Sequence, residues 1–205
     1  LRPGDVVGLT GPLGAGKTHT LLLIREALRE RSVPFVFTDL FPSAATPEHL
    51  LETLAEAVIP FMAKDAALIR DLVEESVRDR HRSSQALLRL FDLIARRPPD
   101  RPFVWLVDEV TEIRSLAYFP ELGKIEEPFA RAIGAARGAI LTSSYLGLAD
   151  DLFPGFEKRA LSGLSPKDLE SVPSLRSDGD AVAAAIALTR GWAATLLPLA
   201  NDMRD

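Results

Sequence analysis

Apolar residues recur along the chain in two periods, and the alternation of those periods sets out the elements. Val6 to Thr10 is a short β-branched, apolar run closed by Gly11, and from Thr18 to Arg29 the residues Leu21, Leu22, Ile24, Ala27 and Leu28 recur at helical spacing. Val33 to Thr38 predicts a second strand, with Asp39 at its carboxyl end, the edge where open α/β sheets keep their ligands. Thr46, Pro47 and Glu48 predict a helix start, with a capping hydroxyl, a proline in the first turn and an early acid, and the helix should run to about Ile59. Between Met62 and Arg96 the apolar positions Leu68, Ile69, Leu72, Val73 and Val77, then Leu87, Leu88, Leu90, Phe91 and Ile94, keep helical spacing but break near His81 to Ser84. Two helices are expected there.

A stiff, charged connector from Arg96 to Pro102 leads into Phe103-Val104-Trp105-Leu106-Val107, the most strand-like run of the chain, which ends in Asp108 and Glu109. Pro128 to Ala136 predicts a short helix, and Glu126 and Glu127 ahead of it suit the positive end of its dipole. Ala139 to Leu141 begins a fourth strand that ends in Thr142-Ser143-Ser144, and Arg159 to Leu164 predicts a fifth. Ser165 to Asp168 has capping-box spacing, after which Ala181 to Leu188 and Trp192 to Met203 read as helical on either side of Gly191. Strands alternating with helices imply a three-layer α/β/α core around a mostly parallel five-stranded sheet, spanning residues 1–164, with a small helical lid at 165–205. In such a sheet the strand ends that carry polar residues converge on one edge.

Composition narrows the partners. The 205 residues suffice for one packed domain with a small helical appendage, and 47% hydrophobic with 26% charged residues is ordinary for a globular chain. A net charge of -5 does not point to nucleic acid as the main partner, although a local basic patch is compatible with it. Cysteine is absent, which excludes disulfides, thiolate metal sites and a cysteine nucleophile and fits a cytoplasmic location. No apolar run is long enough to span a bilayer, so no membrane partner is expected. The chain enters its first strand almost at once and without a starting methionine, which suggests a piece of a longer polypeptide.

Gly11-Pro12-Leu13-Gly14-Ala15-Gly16-Lys17-Thr18 lies between the first strand and the first helix. Glycines there let the backbone curl so that successive N–H groups point at phosphate oxygens, and the helix amino terminus adds favourable potential for an anion. Lys17 is placed to reach the β and γ phosphates, and the Thr18 hydroxyl to hold Mg²⁺. With His19, this stretch makes the expected nucleotide-binding residues Gly11, Pro12, Leu13, Gly14, Ala15, Gly16, Lys17, Thr18 and His19, with ATP and Mg²⁺ as ligands.

The loop and its flanks resemble the P-loop NTPases, and the order of the remaining pieces is similar to the AAA+ and STAND branches, including archaeal-type and origin-recognition-like ATPases. Phe103 to Glu109 resembles their second motif, a buried strand ending in an acid. The likeness implies that Asp108 holds Mg²⁺ through water, and Glu109 beside it is suited to act as general base toward an attacking water. Ala139 to Ser144 resembles the strand that carries a polar sensor residue, for which Ser143 is the choice and Thr142 and Ser144 are neighbours that can serve instead. Arg159 to Leu169 looks like the segment joining core to lid, and Arg159 stands where related ATPases often carry a basic residue that completes the site in cis. Arg131 and Arg137 are weaker candidates for an arginine supplied to a neighbouring subunit. In the stretch from Ala187 to Leu196, Ala193 stands where the lid of these families has a proline, so adenine contacts are not carried over to the lid.

These residues imply an ATP-binding and ATP-hydrolysing domain that couples nucleotide state to conformational change, by self-association or through a partner protein that completes the site. A nucleotide-dependent switch with little turnover and a small-molecule kinase remain as alternatives. No Asn-Lys-x-Asp segment is present, which favours adenine over guanine. Arg78, Arg80, His81 and Arg82 form a local basic cluster that can be a solvated face or a contact for acidic partners. Tyr118-Phe119-Pro120 can belong to a contact loop or to the core.

Overall fold

The run Val104-Trp105-Leu106-Val107 is apolar on both faces because its strand is covered on both faces. In the computed structural model, which describes residues 4–96, 99–163, 183 and 186, strand β3 (Val104–Asp108) is buried along its whole length. It pairs with β2 (Phe35–Asp39) on one side and β4 (Gly138–Ser143) on the other. β1 (Asp5–Thr10) follows β4, and β5 (Glu157–Ala160) forms the far edge, giving a five-stranded, all-parallel sheet in the order β2-β3-β4-β1-β5. The alternation of strand and helix therefore led to the observed α/β fold. The expected lid at 165–205 lies outside the described residues apart from Ala183 and Ile186.

This strand order decides where the helices go. The chain crosses from β1 to β2 in one direction over the sheet and returns through β3 and β4 in the other, so right-handed connections put the first helix on the opposite face from the rest. Among the described residues, helix α1 (Lys17–Glu30) accordingly covers one face alone, packing Leu21 on Val104 and Leu106, with Ile24, Leu28, Phe35, Phe37 and Ile140 around them. The other face carries α3 (Pro47–Val58), α5 (Ser83–Arg96) and α6 (Glu126–Gly134), which bury Trp105, Val107, Ala139 and Leu141 beneath Leu54, Leu90, Phe91 and Phe129. Helix α4 (Ala66–Arg78) packs against α3 and α5. Trp105 meets Phe103 and Phe129 edge-on at centroid distances of 5.9 and 6.3 Å, and its indole N–H donates to Thr38 Oγ1 at 3.1 Å. Each side chain of this size that is removed from water contributes about 1.5–3 kcal/mol, so β3 is anchored far more strongly than the edge strand β5.

Local chemistry accounts for most boundaries. Thr46 Oγ1 accepts from the His49 N–H at 3.2 Å and Pro47 opens α3, as the sequence predicts. The break between the two long helices falls at Asp79–Arg82, where the Asp79 carboxylate caps a 3-10 turn through the His81 N–H at 3.1 Å. The structure also holds elements the periodicity does not predict. The short helix α2 (Leu40–Ser43) follows β2 directly, capped by Asp39 through the Phe41 N–H. A 3-10 helix at Val110–Tyr118 buries Val110, Ile113 and Leu116, whose spacing of three matches its own period. Helix α7 (Leu146–Leu152) precedes β5. β5 begins at Glu157 instead of Arg159, and its four residues are all exposed, so no apolar alternation marks it.

Gly8 is the interior glycine of β1 for a packing reason: a Cβ there would lie 2.1 Å from the Phe156 ring, which closes over the strand just before β5. The basic cluster at Arg78 to Arg82 is an ion-paired, solvated surface. Arg78 pairs with Glu74 at 3.0 Å, and Arg82 pairs with Glu75 at 2.9 Å and with Asp79 at 3.4 Å. Among the described residues no helix is long and apolar enough to cross a membrane.

Candidate functional site

All five strands run the same way, so the loop after β1, the acids at the end of β3 and the hydroxyls at the end of β4 lie along one edge of the sheet. β4 sits between β1 and β3, and its terminus adjoins both.

The loop from Gly11 to Gly16 turns tightly enough for the Ala15 N–H to donate to the Pro12 carbonyl at 3.1 Å. Gly14 and Gly16 adopt left-handed backbone, with φ of 79° and 88°, which strains residues with a Cβ. A Cβ on Gly11 would press on Ala15 Cβ at 3.0 Å. Gly16 is also the N-cap of α1, and because it has no side chain, none caps the first-turn N–H groups of that helix. Lys17 is only 5% exposed, and its ammonium donates to the carbonyls of Gly11 and Pro12, each at 3.0 Å. Among the described residues no carboxylate pairs with it. A buried cation held only by neutral carbonyls, beside an uncapped helix terminus, is a donor set that fits a polyphosphate. Thr18 and His19 are exposed on the first turn, and Leu13 projects from the tip of the loop into solvent.

The acidic strand end is knit to β4. The Thr142 hydroxyl donates to Asp108 Oδ1 and accepts from the Glu109 N–H at 2.9 Å. Glu109 takes the left-handed conformation, with φ of 49°, at the start of the Val110–Tyr118 helix. Its Oε2 accepts from the Ser144 N–H at 3.1 Å and its Oε1 from the Ser144 hydroxyl at 2.7 Å. Ser143 points elsewhere: buried, it accepts from the Tyr145 N–H at 2.9 Å, donates to the Tyr145 carbonyl at 3.1 Å and lies 3.4 Å from Thr111 Oγ1. Of the three consecutive hydroxyls at the end of β4 and just past it, Thr142 and Ser144 touch the acids and Ser143 braces the turn.

Asp39 is a third carboxylate at this edge, opposite Asp108 in the β2–β3 register. Burial and the facing charges of Asp108 and Glu109 push its carboxyl above the ordinary aspartate range, against the opposing hydrogen bond from the Phe41 N–H. Sequence reading placed Asp39 at a ligand-bearing edge without including it in the site, and the parallel register is what sets it beside Asp108. A raised carboxyl contributes stability at acid pH that is lost as pH rises through its folded value. Asp39→Asn keeps a capping oxygen for α2 and removes the charge. It is expected to raise the melting temperature at neutral pH, with the gain shrinking as pH falls into the ordinary carboxylate range. A gain that does not change with pH would show that the crowded charge is not its source.

Arg159 faces Leu9 in the β1–β5 register, one position short of the strand end. Its side chain is 68% exposed and pairs with Glu157 on the same strand. Arg131 on α6 and Arg137 before β4 are both exposed.

No protein-family model matches the chain, and no curated protein matches it. Solved structures do. Over the whole of this chain the Walker-type ATPase of Pyrococcus abyssi superposes with a TM-score of 0.59 at 19% identity, and 63% of that chain is covered. This chain shares its fold with that ATPase. A DNA replication initiation factor shares it with a TM-score of 0.50 at 12% identity, over 98% of this chain and 54% of that one. The chain thus spans about three fifths of the Walker-type ATPase from Pyrococcus abyssi and about half of the initiation factor.

Proposed function

We propose that this P-loop domain binds ATP and hydrolyses it to ADP and phosphate. The observation that carries the reading is the buried Lys17 ammonium, which has carbonyl oxygens for partners beside the uncapped start of α1, one strand away from the Asp108–Glu109 strand end. Gly11 to His19 line the phosphate site, and Lys17 can leave the carbonyls of Gly11 and Pro12 for the β and γ phosphates. The exposed Thr18 hydroxyl and Asp108, the latter through water, are the groups that would hold Mg²⁺, which would neutralise phosphate charge.

Glu109 acts as general base. Water oxygen bonds to the γ-phosphorus as the bond from that phosphorus to the bridging oxygen breaks. The water proton passes to Glu109, and ADP leaves with the bridging oxygen. Ser143, as the polar residue ending β4, is assigned the sensing role through the turn it braces at Tyr145. Arg159 has to leave Glu157 to reach a phosphate, so the stabilising guanidinium comes either from that movement or from Arg131 or Arg137 of a neighbouring copy. The hydrogen bonds that tie β3 to β4 let a nucleotide acting at one strand end shift the other, which supports coupling of ATP state to a conformational change in a larger protein or assembly. A cytoplasmic setting fits a cysteine-free chain.

The test is turnover of ATP and GTP by the 205-residue chain, with no acceptor added and at several protein concentrations. Phosphate released from ATP in preference to GTP is expected, with turnover per molecule rising with concentration where a neighbour completes the site. ATP binding without phosphate release at any concentration would replace hydrolysis with a switch function, and release only on adding a hydroxyl acceptor would indicate a kinase.

A further inference from the structure

The carboxylate of Glu109 is held at both oxygens by one residue. Ser144 gives its backbone N–H to Oε2 and its hydroxyl to Oε1. The backbone of Glu109 is held separately, by its N–H on Thr142, in a left-handed conformation that glutamate adopts only under constraint. Two bonds to one carboxylate from one rigid donor pair fix the plane of that carboxylate as well as its position. The donor pair sits within a braced turn, because the neighbouring Ser143 is tied to Tyr145 by two hydrogen bonds across it.

We propose that Ser144 is a positioning residue for hydrolysis, acting on the attacking water only through Glu109. The inference rests on the general-base reading of Glu109. Each carboxylate oxygen has two lone-pair sites, so the clamp leaves acceptor capacity on both for a water proton. What the clamp removes is rotation of the side chain, and the value of a base depends on geometry before basicity. Thr142 and Ser144 thereby divide the work: the first seats the Asp108 side chain and the Glu109 backbone, the second the Glu109 side chain. Ser143, the last residue of β4, touches neither acid.

Ser144→Ala keeps the backbone N–H and loses the hydroxyl. It is expected to lower kcat about tenfold, the effect of one hydrogen bond to a charged group, while KM and Kd for ATP·Mg²⁺ stay near wild type. Ser144→Thr, which keeps both donors, should restore most of kcat. In the Glu109→Gln background Ser144→Ala should add little, because the group it positions is already lost. A purely structural serine would instead lower turnover by the same factor in both backgrounds, and that result overturns the proposal. So does an unchanged kcat, and so does a raised one, which would mean that the contact parks the base away from its work. Glu109→Gln alone separates the two readings. If it leaves turnover intact, the general base is wrong and the role of Ser144 falls with it. If it removes turnover while Ser144→Ala does not lower it, only the role of Ser144 is lost.

Discussion

Lys17→Ala is expected to weaken ATP·Mg²⁺ binding by roughly a hundredfold, the loss of charge-assisted hydrogen bonds totalling about 2–3 kcal/mol, without destabilising the ligand-free protein. The two halves of that expectation come from the same geometry. In the ligand-free fold the Lys17 ammonium is buried and its partners among the described residues are two neutral carbonyls, so among those residues no ion pair offsets the cost of its burial. Alanine removes the cost along with the cation. The loop itself does not depend on the lysine, since its turn is closed by the Ala15 to Pro12 hydrogen bond and by glycines at positions 14 and 16. Isothermal titration with ATP·Mg²⁺ gives the binding term, and melting curves with and without nucleotide give the stability term. A Kd unchanged by the substitution would place the phosphates somewhere other than this loop. A large loss of melting temperature in the ligand-free variant would mean that the lysine supports the loop structurally, and weakened binding would then say nothing about phosphate contact.

Glu109→Gln is expected to do the reverse, leaving ATP·Mg²⁺ affinity near wild type and reducing turnover by about 10²–10⁴-fold, the usual contribution of a general base. Affinity survives because Lys17, the α1 terminus and Asp108 are untouched. Turnover falls because an amide cannot take up the water proton. The substitution is nearly isosteric, and the amide oxygen can still accept from Ser144, so the αL backbone at position 109 and the Thr142 bridge should persist. Single-turnover phosphate release with enzyme in excess separates the chemical step from product release. Turnover equal to wild type would remove Glu109 from the mechanism. Lost affinity together with lost turnover would point to collapse of the β3–β4 junction.

How legible the site is in the sequence varies with the range of the interactions that form it. Gly11 to Thr18 declares itself locally, because strand, glycine loop and helix start are contiguous and the positive φ values at Gly14 and Gly16 suit glycine. The end of β3 declares itself nearly as well, since four apolar residues followed by two acids describe a strand buried on both faces that surfaces at one end. The end of β4 does not. Thr142, Ser143 and Ser144 are chemically alike and consecutive, and only their placement at the end of β4 and in the bend after it sends Thr142 and Ser144 toward Asp108 and Glu109 and Ser143 toward Thr111 and Tyr145. Asp39 is a similar case, a residue whose neighbours are 69 and 70 positions away in the chain and become neighbours only through the parallel register. The Val110–Tyr118 helix is missed for another reason, because a spacing of three in Val110, Ile113 and Leu116 is the period of a 3-10 helix and falls between the α-helical and strand templates.

The sequence by itself determined the alternation of strand and helix, the three-layer class, the glycine loop between β1 and α1 and the acidic strand end, because each of these is written in contacts between residues close along the chain or in the burial period of a single element. The tertiary structure alone decided the order β2-β3-β4-β1-β5, the insertion of β4 between loop and acids, the assignment of Thr142 and Ser144 to the acids, the charge crowding at Asp39 and the pairing of Arg159 with Glu157. The reason is physical. Which strand lies beside which is set by the packing of whole elements and the handedness of their connections, and a hydrogen bond between side chains 34 or 35 residues apart has no local signature in either partner.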